Sequence, residues 1–207
     1  MDEVPESAAP PSATERSVTE AVDAKGLGPR ALAFLIDGAA VVAADVVSTP
    51  VGFSASAVIL SLVLPGPPVG WEHGNPWPLA ISLALALPFF YFLIFEWLYG
   101  ATPGKVLLNM RVVRENGRPC GLRAAAVRGL LRYVDGLMSG LGLWLLMRKP
   151  PHRRLGDRAA GTLVVDDDSP LVAGRPSRRW FWAAAAIYFG LCCTINGMIF
   201  ALALKFE

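Results

Sequence analysis

The sequence predicts an all-α integral membrane protein. It has three transmembrane helices (four if the stretch 122–147 also crosses), one re-entrant or interfacial segment and a small cytoplasmic β-strand pair. Three observations lead there. Of the 207 residues, 54% are hydrophobic and only 17% charged, against roughly 25% charged in soluble domains. Several apolar runs approach about 20 residues, the length at which a helix crosses a bilayer. The basic residues are segregated: none lies between Arg30 and Lys105, and those that follow cluster in loops. The net charge of +2 carries no information as a total.

Residues 1–25 open with MDEVPESAAPPSATE, which has neither a basic leader nor an apolar core. The segment reads as a disordered cytoplasmic tail rather than a signal peptide. From Pro29 the pattern changes to PRALAFLIDGAAVVAADVVSTP, predicting a helix over about 30–49 with proline in its first turn. Val51–Leu64 is apolar but short and bounded by prolines, so it suits an interfacial piece or a kinked extension of that helix. A Pro/Gly/Trp loop, Gly66–Pro78, follows, and then a second span over about 79–98 containing Pro88.

The motif EWLYGATPGKVLLNMRVV, Glu96–Val113, marks a membrane exit followed by a basic surface hairpin. Asn109–Val113 and the Glu115-Asn116-Gly117 turn predict a short strand entering a hairpin-like loop, and Gly161–Val165 predicts its partner. Between them, 122–147 is apolar yet holds Arg123, Arg128, Arg132 and Asp135. A second basic cluster, Arg148 to Arg158, comes next. Residues 167–178 form a polar linker, and 179–204 a last span opened by Trp180 and Trp182.

The basic loops belong on the cytoplasmic side. The N-terminus is therefore expected inside, and the Gly66–Pro78 loop outside. If 122–147 crossed once, the strands would face opposite sides and could not pair, so a re-entrant or surface-lying segment is favoured.

Charged residues in an apolar span cost about 2.5–3.5 kcal/mol at a helix centre, so they face a partner or water. Arg30 and Asp37 share a helix face, with Asp37 about 10 Å deeper. Glu96, at a similar depth to Arg30, is a candidate to pair with it. Asp37 then needs a cation from elsewhere, for which Arg128 or Arg132 is available. Asp45 lies off that face and is expected to be a solvated acid.

The Gly100–Lys105 stretch is not a phosphate loop. It has three residues between its glycines instead of four, and Val106 rather than Ser or Thr follows the lysine. Lys105 is expected instead to meet lipid headgroups. Cys120, Cys192 and Cys193 have no metal or disulfide spacing and read as packing residues. Gly136 and Gly140 have the spacing of a close helix contact. His73 and His152 are isolated. Nothing forms a catalytic or metal-binding arrangement; no enzyme, cofactor, metal or nucleic-acid partner is expected.

Several of these motifs together resemble the bacterial RDD-domain membrane proteins, named for one arginine and two aspartates. They are PRALAFLID, the Glu96–Lys105 stretch, Arg111-Val112-Val113, Gly117 and RRLGDRAAGTLVV (Arg153–Val165). The resemblance runs over about 26–166. It implies Arg30, Asp37 and Asp157 as signature residues, with Asp135 a weaker candidate for the third. Asp157 would pair with Arg30 or Arg154 at the inner interface. Members are multi-pass membrane proteins suspected of moving ions or other ligands.

Two functions follow as expectations in a bacterial plasma membrane. In the first, Asp37 is a carrier site, with Arg30, Glu96 and Asp157 forming an inner gate supported by Lys105, Arg128, Arg132 and Asp135; so few spans would then require a homo-oligomer. In the second, the charges are structural and the protein is a non-catalytic adaptor. Its basic loops would bind anionic lipid or a protein partner.

Overall fold

The computed structural model describes residues 25–63, 77–137, 153–172 and 174–203. The N-terminal tail, the Gly66–Pro78 loop up to residue 76, Gly140, His152 and the second half of the 122–147 stretch lie outside the described residues.

Helix α1, Leu27–Val63, continues through Pro50, so the apolar Val51–Leu64 stretch extends the first helix. Its Leu27–Gly52 portion has a mean hydropathy of 1.9 and is long and apolar enough to cross a membrane. Leu32, Leu35, Val42, Val46 and Val47 stand exposed on it, a surface suited to hydrocarbon rather than water. Helix α2 is Trp77–Leu98, with Pro88 inside it. Helix α6, Arg178–Ala203, is the second helix that meets the membrane-crossing criterion, over Arg178–Ala201.

Both α1 and α2 pack on α6, and they meet each other through side chains such as Phe34 and Phe92, stacked at 6.1 Å. The shared core holds Leu87, Tyr91, Phe95, Tyr188, Cys192 and Ile195. Tyr91 and Tyr188 meet edge-on at 5.1 Å, a favourable arrangement for aromatic quadrupoles. Where α1 meets α6 at Gly52, a Cβ would fall 2.5 Å from the Cys193 carbonyl oxygen. Glycine is what permits that approach.

The remaining elements gather at one end of the helices. A short helix α3, Pro103–Leu107, starts with proline in its first turn and leads to strand β1, Met110–Arg114. Helix α4, Leu122–Leu137, packs on α2. Helix α5, Leu155–Ala159, precedes strand β2, Thr162–Asp166. The strands are antiparallel, with Val112 opposite Val164, so the pair read from the sequence forms one residue along from its expected bounds. Period-two alternation gives the sheet two apolar faces. Met110, Val112 and Val164 pack with Ala33, Ala124 and Ala125. On the other face Val113, Leu163 and Val165 are covered by Leu171 and Val172 of the expected linker.

Cys120 and Cys192 are buried, and all three cysteines are free. Burial pushes the Cys120 thiol up to about 11, which suits a packing residue rather than a nucleophile.

A candidate site at the inner junction

Five helices and strand β2 converge on a buried ion network, and the side chains that make it come from positions the local structure fixes. On α4, Arg128 and Arg132 are one turn apart and share a face. Glu96 lies in the last turn of α2 and is fully buried. Asp157 sits in the first turn of α5, where its Oδ2 accepts the Arg154 backbone N–H at 3.2 Å. That bond satisfies an end-of-helix donor.

Arg128 is the hub. Its Nε donates to Glu96 Oε2 at 2.8 Å, and its Nη1 donates to Asp157 Oδ1 and, at 2.7 Å, to Thr162 Oγ1. Arg30 Nη1 donates to the other oxygen of Asp157 at 2.5 Å. Lys105 Nζ and Arg132 Nη2, the latter at 3.1 Å, both donate to Glu96 Oε1. The network thus ties α1 to α5 through Arg30 and α2 to α3, α4 and β2 through Glu96 and Arg128.

Three pairings differ from those expected. Arg30 does not pair with Glu96; it reaches Asp157, the alternative that the signature implied. Lys105 does not meet headgroups: it is 4% exposed and ion-paired with Glu96. Asp37 receives neither Arg128 nor Arg132. Its Oδ1 accepts from the Tyr91 hydroxyl at 2.9 Å and the Gly104 N–H at 2.7 Å, and its Oδ2 from the Thr102 hydroxyl at 2.6 Å. Asp37 thereby caps α3 from a neighbouring helix, supplying an acceptor to a first-turn amide.

Asp135 is buried but stands outside the network, with no hydrogen-bond partner on its Oδ1. Asp45 is not simply solvated, for its Oδ1 accepts from Asn196 Nδ2 at 3.0 Å, and the same amide reaches Ser48.

The sequence reading gave Tyr91, Thr102, Gly104, Thr162 and Asn196 no role at the site. One signal was available: alternation along β2 puts Thr162 on the face of Val164, towards the helices. No comparable pattern links Asp37 to Thr102.

Burial opposes the charged form of Asp157, yet the Arg128 and Arg30 guanidiniums hold its carboxyl well below its usual 3.8. A depressed carboxylate contributes stability that is present above the ordinary value and lost as the pH falls towards the folded one. The expected result is a melting temperature in uncharged detergent that drops below about pH 3.8. In Asp157→Asn that acid drop should be shallower; an equal drop would remove Asp157 as its source. Lys105 behaves differently. Burial pushes its ammonium down to about 8, against the pull of Glu96, and Arg128 and Arg132 add to the fall.

Among the described residues no group of three or more His, Cys, Asp or Glu side chains could hold a metal ion.

Comparison with known families gives one match: the model described as the RDD family covers residues 24–161. No curated protein and no solved structure matches the chain.

Proposed function

The chain belongs to the RDD family, and on that premise we propose that it is a non-catalytic membrane adaptor whose buried charges hold its helices together. One observation carries this reading. The Asp37 carboxylate is already engaged by neutral donors from Tyr91, Thr102 and Gly104. A carrier site must exchange its ligand, and these donors are part of the fold.

The proposal places the protein in a bacterial plasma membrane with its N-terminus inside and α1, α2 and α6 as spans. Pairing of β1 with β2 supports this topology, because both strands must then lie on one side. The chain between them returns to the side it left, as an interfacial or re-entrant segment does. The basic loops would then face anionic lipid or an acidic protein partner.

A second reading, ion or proton passage through a homo-oligomer, is favoured by one feature. Between α1 and α6, Asp45, Ser48 and Asn196 form a polar set. Intramembrane polar groups of this kind often mark pathways.

Proteoliposomes under sodium and proton gradients separate the two. On the adaptor reading neither the wild type nor Asp37→Asn carries flux. The variant loses about 1–3 kcal/mol of stability, because an amide cannot accept all three hydrogen bonds. Flux in the wild type that vanishes in a folded, inserted Asp37→Asn would overturn the adaptor reading.

A further inference from the structure

An apolar groove of about 420 Å³ lies between α1, α2 and α4. It falls within the range of small-ligand sites, roughly 300–1,000 Å³. Phe34, Phe89 and Phe92 line it, with Tyr133 on the α4 side. Gly129 lets the two helices approach: a Cβ there would sit 3.0 Å from the Phe89 ring. Arg132 also lines the groove, and its guanidinium stacks 3.4 Å over the ring of Phe92, another lining residue.

Arg132 differs from the other cations of the network. Its side chain is 12% exposed, while those of Arg30, Lys105 and Arg128 are 2–5% exposed. Its contact to Glu96, at 3.1 Å, is also the longest of the three that this carboxylate accepts. Around Glu96 and Asp157, the cations Arg30, Lys105, Arg128 and Arg132 outnumber the carboxylates. Phe34 is one turn along α1 from Arg30, so the groove runs from the charged end of the helices into their apolar length. Its occupant should be apolar along most of its length and negative at one end.

We propose that this groove binds an acyl chain of an anionic phospholipid, with the phosphate drawn to Arg132. The inference needs only the membrane setting and is independent of whether the protein is an adaptor or a carrier. Binding to the folded state alone raises the melting temperature by mass action, which supplies the readout.

The full chain, purified in uncharged detergent, is melted with added phosphatidylglycerol or with phosphatidylcholine of the same acyl chains. Phosphatidylglycerol is expected to raise the melting temperature more. That excess should disappear in Arg132→Gln and persist in Arg132→Lys and in Arg123→Gln, an exposed basic residue in the first turn of α4. Glu96 keeps Lys105 and Arg128 in Arg132→Gln. Should that variant fail to fold, Phe34→Glu, which sets a carboxylate at the groove, should lose the excess instead. Equal melting temperatures with the two lipids would overturn the proposal, leaving the groove to residues 138–152 or a second copy. An excess that survives in folded Arg132→Gln, or in Phe34→Glu where that variant decides, would assign the preference to the basic loops and overturn it too.

Discussion

Glu96→Gln is expected to be among the most damaging single substitutions in the chain, costing about 3–5 kcal/mol, the usual penalty for breaking a buried ion pair from one side. Gln matches the shape of Glu, so no cavity forms and the loss is electrostatic. Lys105, Arg128 and Arg132 all donate to Glu96, whose side chain is fully buried. With the carboxylate gone, three cations face one another away from water. The converse substitution isolates the cause. In Lys105→Gln, Glu96 still accepts from Arg128 and Arg132, and one of the mutually repelling cations has been removed. Its cost should be clearly smaller. Denaturant or thermal unfolding in detergent measures both, and equal costs would mean that charge balance is not what the network contributes.

The asymmetry between these variants reflects what the sequence could and could not show. Elements followed from periodicity and length, because each is a local property: the apolar helices, the Pro/Gly turn and both strands could be read in place. Arg30 could be named as a charge in an apolar run and Asp157 because the family resemblance marked it, and their pairing was one of the alternatives that resemblance implied. The partners of Glu96 were not readable. They depend on how α3 and α4 close over the end of α2, and helix packing angles leave no trace in a single sequence. Depth alone suggested Arg30 for Glu96, whereas the fold brings Arg128 and Lys105 closer. Asp37 shows the same limit. A lone acid in an apolar run argues for a cation, yet hydroxyl and amide donors can stabilise a carboxylate equally well. Those donors, Tyr91, Thr102 and Gly104, look unremarkable along the chain.

Gly104→Ala should test that arrangement from the opposite direction, through space instead of charge. An alanine Cβ would sit 2.3 Å from the Ala33 carbonyl oxygen and 2.9 Å from Asp37 Oδ1, both on α1. The first clash is with helix backbone, which cannot rotate away, so α3 must move off α1. The same turn carries the Thr102 hydroxyl and the Gly104 N–H to Asp37 and the Lys105 ammonium to Glu96. Displacing it strains one carboxylate and loosens a second. Overpacking of about 1–3 kcal/mol, with loss of a charge-assisted hydrogen bond at about 1.5–3 kcal/mol, gives an expected cost of about 2.5–6 kcal/mol. Gly38→Ala is the control. It lies one residue beyond Asp37 on the same helix, where an added Cβ meets nothing within 4 Å. There, helix propensity predicts neutrality or a gain of up to about 1 kcal/mol. If the two variants melt alike, α3 does not press against α1 at Asp37. The carboxylate would then be open to exchange, and the carrier reading would regain its strongest argument.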